Sequence, residues 1–173
     1  MAVYTKIYKQ LLESFLKNYK LGNLISFEGI KEGVENTNYK IITSKDIYIL
    51  TIFEKRVNKQ ELPFFIALQN YLSKKNIKCP KPIADKNGSY INKLKNKSCV
   101  IMSFLSGQKI DIATPHHCYQ VGEQLAKIHQ QTTDFTLTRV NNLNQKNWRS
   151  IFDKCKDAKN NQYNEFFETI ENN

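Results

Sequence analysis

The stretch that decides the fold is "LISFEGIKEGVENTNYKIITSKDIYILTIF", which spans residues 24–53. Three runs rich in β-branched and aromatic residues alternate in it with two short polar segments. Such runs, bounded by Gly, Asn, Ser and Asp, predict β-strands joined by turns. We therefore expect strands at residues 24–30, 38–43 and 47–53, arranged as an antiparallel meander.

Helical periodicity occurs on both sides of this meander. Apolar residues recur at helical spacing over residues 5–19 and again over residues 58–75, where Asn58 is a candidate N-cap. The rest of the chain predicts a hairpin that turns at Asn87 and Gly88, followed by a strand at 98–104. A helix is expected at 115–131, with Val121, Leu125, Ala126 and Ile128 facing inward. Two short helices are expected at "NWRSIFDKC" and "YNEFFETI". Strands first and helices last predict an α+β fold.

The connection "EGVENTN" between the first two strands leaves two interpretations open. Gly33 can adopt a positive φ or let a ligand approach the backbone closely. Asn36, Thr37 and Asn38 can close a turn with their own side chains or donate hydrogen bonds to a phosphate. The residues alone favour a simple turn.

Composition limits the classes of protein to which the chain can belong. It has 173 residues, of which 40% are hydrophobic and 24% are charged, as in folded water-soluble domains. No apolar run reaches the roughly 20 residues needed to span a bilayer, and the N-terminal segment does not have the pattern of a secretory signal. We therefore expect no membrane partner and a cytoplasmic location.

The net charge of +10 raises the question of a nucleic-acid partner. Nearly all the basic residues are lysines spread along the chain, and the arginines are Arg56, Arg139 and Arg149. Arginine, rather than lysine, binds phosphates and bases through two-point contacts. We therefore expect a solvated lysine surface and no specific nucleic-acid partner, and salt-sensitive binding of DNA or RNA would contradict this.

Cysteine and histidine spacing gives little support to a metal site. The four cysteines form no C-x-x-C pair, which zinc ribbons and thioredoxin-type sites require. His116 and His117 lie in "TPHH", which is typical of a helix start with Thr114 as the N-cap. We therefore expect no metal ligands in this chain.

Six consecutive blocks carry a resemblance to a known family over residues 1–150. They are "SFEGIKEGVENTNYKIIT", "YILTIFEKR", "ELPFFIALQNYL", "CPKPIAD", "VIMSFLSG" and "VGEQLAKIH". Their order and spacing resemble bacterial homoserine kinase of the choline kinase and aminoglycoside phosphotransferase superfamily, which has a protein-kinase-like fold. The resemblance implies a nucleotide-binding lobe at 1–106, made of an antiparallel sheet and a helix, and at 107–173 a hinge with the first helices of a truncated large lobe.

The same resemblance implies the ligands and where they bind. ATP and Mg²⁺ would be the cofactors, and L-homoserine would accept the phosphoryl group. The segment from Gly33 to Asn38 matches the loop that covers the nucleotide phosphates, which makes phosphate covering an equal alternative to a simple turn. Met102, Ser103 and Phe104 match the hinge, whose backbone would pair with adenine.

Two positions depart from the superfamily pattern. The usual phosphate-binding Lys of the third strand is replaced by Thr51, so we expect Lys55, in preference to Lys40, to supply the cation, with a solvated lysine as the alternative. The helix glutamate that would pair with that Lys falls near Phe64 by register, and Glu61 is a weak candidate one turn earlier. A threonine hydroxyl at this position cannot replace the missing charge.

The catalytic loop of the superfamily, H-[GN]-D-x-x-x-x-N, does not occur among the 173 residues. In kinases such groups position the acceptor hydroxyl and hold the metal. We therefore expect a truncated or split homoserine kinase with no catalytic or metal-binding residues in this chain, and with a second chain as one source of the rest of the large lobe. The alternative is a non-catalytic nucleotide-binding remnant or interaction module.

Overall fold

A computed structural model of the protein describes residues 3–54 and 58–157, with the backbone alone at 155–157. The chain divides into two compact units, Met1–Leu137 and Thr138–Asn173. The division into lobes after residue 106 stays a prediction. Lys55 and the helix expected at "YNEFFETI" lie outside the described residues.

The first unit is built on one antiparallel sheet. Its strands in the described residues are β1 Leu24–Ile30, β2 Thr37–Thr43, β3 Ile47–Ile52, β4 Pro82–Ile83, β5 Asn92–Leu94 and β6 Lys97–Ser103. They lie in the order β1–β2–β3–β6–β4, with β5 paired to β6, and every pair is antiparallel. The predicted meander is confirmed, and each of its strands ends within one residue of the predicted bound.

The main core lies between one face of this sheet and helix α1, Lys9–Leu16. Alternate residues of the strands point into it, so that Ile41, Leu50 and Ile52 are fully buried together with Leu12 of α1. Full burial of such a side chain contributes about 1.5–3 kcal/mol. A slip of one residue would turn the whole set to the opposite face, so this core holds the register of the meander.

The predicted helix at residues 5–19 is too long, because helix α1 covers only Lys9–Leu16. Thr5 lies outside the helix, where its backbone N–H donates to Oγ1 of Thr37 at 3.0 Å. Its backbone oxygen accepts a hydrogen bond from the Tyr39 hydroxyl at 2.9 Å. Because these bonds attach the segment to β2, the helix begins only at Lys9.

Helix α2, Leu62–Lys74, follows a short 3-10 turn at Lys59–Glu61. The side chain of Asn58 caps this turn by accepting a hydrogen bond at 3.0 Å from the backbone N–H two residues later. Pro63 lies in the first turn of α2, where its missing N–H removes no helical hydrogen bond. Both features confirm the prediction from sequence.

The hairpin predicted around Asn87 and Gly88 forms a turn, but its flanking strands do not pair. Gly88 has a φ of +84°, and Oδ1 of Asp85 accepts from the backbone N–H of Asn87 at 2.9 Å. Strand β4, which precedes this turn, pairs with β6. The hairpin instead joins β5 to β6 through Lys95 and Asn96, which both have positive φ, as a tight hairpin turn requires.

Two further helices follow the sheet, α3 at Pro115–Gln131 and α4 at Gln145–Asp157. The predicted cap of α3 is confirmed, since Oγ1 of Thr114 accepts from the backbone N–H of His117 at 3.3 Å. The Nδ1 atom of His117 accepts in return from the backbone N–H of Thr114 at 3.2 Å. None of the described helices is long and apolar enough to cross a membrane.

The inward orientation predicted for the apolar residues of α3 is wrong. Val121 is 68% exposed and Leu125 is 50% exposed. Ala126 is exposed as well, and Ile128 is half-buried. The helix is amphipathic as expected, but the described chain leaves Val121, Leu125 and Ala126 exposed.

Candidate functional site

The sheet has a second face, opposite α1, and the predicted site residues Asn38, Thr51 and Met102 lie on it. Thr37 and Ser103 lie instead on the core face, in register with Ile52 and Tyr48. We define this second face by Asn38, Lys40, Ile49, Thr51 and Met102. Strand register places Asn38 opposite Thr51 and Lys40 opposite Ile49, and Ile49 also lies opposite Met102 on β6. Residues on one face of a strand lie about 7 Å apart, so this face extends from the end of β6 to the loop between β1 and β2.

The loop at residues 31–36 lies at one end of the second face. Gly33 has a φ of +100°, in the left-handed region that favours glycine, and a Cβ added there would meet no atom within 4 Å. The Oδ1 atom of Asn36 is buried and has no hydrogen-bond partner among the described residues. A buried acceptor of this kind calls for a donor. An ionised phosphate does not supply one, because its oxygens also accept hydrogen bonds. The loop therefore has the expected backbone conformation, and its contact with phosphate stays a prediction.

Thr37 is fully buried, and its hydroxyl group is used within the protein. Oγ1 donates to Oε1 of Glu54 at 2.7 Å and accepts from the backbone N–H groups of Tyr4 and Thr5, each at 3.0 Å. A hydroxyl group has one donor and two acceptor positions, so all three are occupied. Its partners lie outside the loop, so the hydroxyl joins β2 to Glu54 and to the N-terminal segment. Its contact with phosphate stays a prediction.

Asn38 and Thr51 form a pair across strands β2 and β3. The hydroxyl of Thr51 donates to Oδ1 of Asn38 at 2.8 Å. Because the amide oxygen is the accepting atom, the NH₂ group of Asn38 is the one that can donate to an anion. Thr51 itself helps to orient Asn38 and supplies no positive charge at this position.

Lys40 is the cation that the described structure places on the second face. Its Nζ atom lies 5.3 Å from the centroid of the Phe104 ring and 3.9 Å from Oε1 of Glu28. The ammonium group therefore lies beside Phe104, which follows β6, and beside Glu28 on β1. The expectation that Lys55 is the phosphate-binding cation is not tested, because that residue lies outside the described part.

The predicted hinge residues Met102, Ser103 and Phe104 lie at the other end of the second face, where β6 ends. Met102 is buried, and Phe104 is partly exposed. The backbone N–H groups of Ser103 and Phe104 donate to backbone oxygens at 2.8 and 3.2 Å. The sheet therefore already uses both groups, whereas the N–H of Leu105 makes no backbone hydrogen bond within the described chain.

Two residues at the start of α2 bear on the expected helix glutamate. Phe64 occupies the position that register predicts for it, and Glu61 is the weak candidate one turn earlier. Oε1 of Glu61 accepts a hydrogen bond from Nδ2 of Asn58 at 3.3 Å, within the turn that begins the helix. The ring of Phe64 lies 5.6 Å from that of Phe65 and 5.9 Å from that of Phe135. Phe64 therefore has a packing role, and Glu61 helps to cap the helix.

A partly buried ion pair supports the start of β2 from the side of the core, and the sequence did not reveal it. Glu54 pairs with Lys97, and the Glu54 side chain is only 11% exposed. The hydroxyl of Thr5 donates to Oε1 of Glu54 at 2.6 Å and accepts from Nζ of Lys97 at 2.7 Å. Burial raises the pKa of this carboxyl group, but hydrogen bonds from Lys97, Thr5 and Thr37 outweigh it and hold the pKa below its usual value.

The described residues contain no group of three or more His, Cys, Asp or Glu that could hold a metal ion. Glu32 and Glu35 lie within the loop itself. The neighbouring carboxylates Glu28 and Glu54 are each paired with a lysine. Mg²⁺ is usually bound by carboxylates together with substrate phosphates. Within residues 3–54 and 58–157, no such group of metal ligands accompanies the second face. Nucleotide binding on this face stays a prediction.

Comparison with known proteins gives the family of the chain. A family model described as the phosphotransferase enzyme family matches residues 26–172. The homoserine kinase of Parvibaculum lavamentivorans is 43% identical over 158 residues, which are 91% of this chain and 49% of that protein. The homoserine kinase of Bartonella tribocorum is 39% identical over 171 residues, which are 99% of this chain and 54% of that protein. The chain thus spans about half the length of the curated relatives it matches.

Solved structures share the fold at low sequence identity. A spectinomycin phosphotransferase in complex with ADP and spectinomycin has a TM-score of 0.63 at 16% identity, over 87% of this chain and 46% of that one. An aminoglycoside phosphotransferase from Alicyclobacillus acidocaldarius has a TM-score of 0.60 at 13% identity, over 95% of this chain and 48% of that one. These similarities confirm the predicted α+β, kinase-like fold.

Proposed function

Because the chain belongs to the phosphotransferase enzyme family, we propose that it is the nucleotide-binding part of a homoserine kinase. Such an enzyme transfers the γ-phosphoryl group of ATP to L-homoserine and gives O-phospho-L-homoserine, on the route to threonine. The observation that carries the proposal is the second face of the sheet, which has the predicted phosphate loop at one end and the predicted hinge at the other. Identities of 39% and 43% to homoserine kinases support the choice of acceptor.

In this proposal the nucleotide lies along the second face. Adenine lies at the end of β6 beside Phe104. It pairs with the backbone beyond that residue, because the N–H groups of Ser103 and Phe104 already donate to the sheet. The phosphates lie under the loop, where Gly33 allows close approach and the side-chain amides of Asn36 and Asn38 supply donors.

The remaining chemistry comes from outside the 173 residues in this proposal. Phosphoryl transfer requires positioning of the acceptor hydroxyl and neutralisation of the phosphate charge, which Mg²⁺ supplies when bound. The sequence has no His-Gly-Asp or His-Asn-Asp block for these tasks. Exposed Val121 and Leu125 of α3 support a missing partner, since further helices of the large lobe would cover such an apolar face. That partner is either more of the same polypeptide or a second chain.

Binding of MgATP to the chain, measured by isothermal titration calorimetry, tests the nucleotide site. We expect Lys55→Met to weaken binding by about tenfold or more, the usual effect of losing a hydrogen bond to a charged group. Lys40→Met should weaken it less. Lys93→Met, which makes the same charge change at an exposed position on β5, is the matched control and should bind as the unaltered chain does. No binding at millimolar MgATP would refute the nucleotide site.

A coupled assay for ADP release in the presence of L-homoserine tests the transfer reaction. We expect the chain alone to bind MgATP without turnover. Addition of the C-terminal half of a homoserine kinase relative should restore turnover that depends on L-homoserine. Turnover by the chain alone at the roughly 1–100 s⁻¹ typical of kinases would contradict the proposal that the catalytic groups lie elsewhere.

A further inference from the structure

The N-terminal segment from Val3 to Ile7 lies against the loop at residues 31–36. The hydroxyl of Tyr4 donates to the backbone oxygen of Val34, within the loop, at 3.0 Å. We propose that this segment, the N-terminal strap, holds the loop in position over the nucleotide, with Tyr4 as the positioning residue. The inference rests on the proposed function for its ligand, although the tether itself can be measured without one.

The strap contacts the strands on both sides of the loop as well as the middle of the loop. At the start of the loop, Val3 packs on the backbone of β1, since a Cβ built on Gly29 would lie only 2.8 Å from Cγ2 of Val3. At the end of the loop, the backbone N–H of Tyr4 donates to the buried hydroxyl of Thr37 at 3.0 Å. The strap therefore contacts the strands on either side of the loop, at Gly29 and Thr37, and the loop itself at Val34.

The strap is anchored more firmly than the loop that it contacts. Thr5 binds the ion pair of Glu54 and Lys97 through its hydroxyl group. Two residues later, the backbone N–H of Ile7 donates to the buried hydroxyl of Tyr39 at 3.2 Å. These bonds attach the strap to the core and do not involve the loop.

The loop has few polar contacts of its own. No backbone hydrogen bond joins two residues within 31–36 in the described structure. The bond from the Tyr4 hydroxyl is therefore the main polar constraint on the middle of the loop. Tyr4 is 56% exposed, and within the described residues its hydroxyl hydrogen-bonds to the loop alone. This bond can therefore be removed without disturbing the anchor.

Hydrogen–deuterium exchange of the ligand-free chain tests the tether. Tyr4→Phe removes the bond to Val34 and keeps the ring, so we expect the amides of residues 33–36 to exchange about two- to tenfold faster, as loss of one net hydrogen bond predicts. Tyr8→Phe is the matched control, because Tyr8 is similarly exposed, at 65%, and no hydrogen bond of its hydroxyl occurs in the described structure. Unchanged exchange in Tyr4→Phe would overturn the proposal.

MgATP affinity tests whether the tether positions the loop for a ligand. Tyr4→Phe should weaken binding by a similar factor while the thermal midpoint stays close to that of Tyr8→Phe. Faster loop exchange with unaltered affinity would overturn the positioning role. If the unaltered chain binds no MgATP, the proposed function fails, and the exchange measurement still decides whether the strap holds the loop.

Discussion

Replacement of Thr37 by valine is the perturbation for which the structure allows the most definite estimate. The two side chains have the same shape, and valine suits a strand at least as well as threonine does. The change therefore removes only the hydroxyl group from a fully buried position. That group donates to Glu54 and accepts from the backbone N–H groups of Tyr4 and Thr5.

The expected loss of stability follows from these three bonds. A hydrogen bond to a charged group contributes about 1.5–3 kcal/mol, and a buried donor left without an acceptor costs about 1–3 kcal/mol. The N–H of Thr5 is buried, whereas that of Tyr4 is only partly buried and counts for less. We therefore expect Thr37→Val to lower the free energy of unfolding by about 3–5 kcal/mol, a large part of the 5–15 kcal/mol typical of a folded protein.

Urea denaturation followed by circular dichroism measures this loss. The matched control is Thr51→Val on the neighbouring strand, which removes one hydroxyl bond, to Oδ1 of Asn38, from a half-buried position. The control should cost about 0.5–1.5 kcal/mol. If Thr37→Val costs no more than Thr51→Val, the three bonds do not support the fold as we argue.

Three further predictions concern the same unit. The pKa of Glu54 in the folded protein lies below its usual value. Its carboxylate therefore stabilises the fold fully at a pH above the usual pKa, and this stabilisation is lost as the pH falls through the folded-state pKa. The urea midpoint should therefore drop below about pH 4, and Glu54→Gln should flatten that part of the profile. Leu12→Ala should cost about 2–5 kcal/mol in the same assay, because Leu12 is fully buried in the core. Gly33→Ala should strain the loop at its φ of +100° by about 1–3 kcal/mol and weaken MgATP binding measured by calorimetry, although space for the methyl group is open.

Local patterns were enough to predict most of the fold. The meander and helix α3 depend on runs of strand-forming residues and on a cap, Thr114, that lie next to one another in the sequence. The predictions failed where a distant partner decides the outcome. Thr5 has a helical neighbourhood but lies outside the helix, because it bonds to Thr37, which lies 32 residues further along the chain. The sequence predicts β4 as one strand of a hairpin, because its pairing with the distant strand β6 leaves no local pattern.

The candidate site was harder to predict from local patterns than the fold. In "NTN", three adjacent polar residues are equivalent candidates as phosphate donors when only residue type and spacing are known. In the structure the three residues differ in their partners. The hydroxyl of Thr37 points to the core side of the sheet and donates to Glu54, which is paired with Lys97. The partners of that pair are 43 residues apart and have no common motif, so no local signal marks them. With the hydroxyl of Thr37 occupied, the groups of the predicted phosphate segment that we expect to contact phosphate are its backbone and the side chains of Asn36 and Asn38. Substitution of Asn36 or Asn38 by alanine should therefore affect MgATP affinity, whereas substitution of Thr37 should act first on stability.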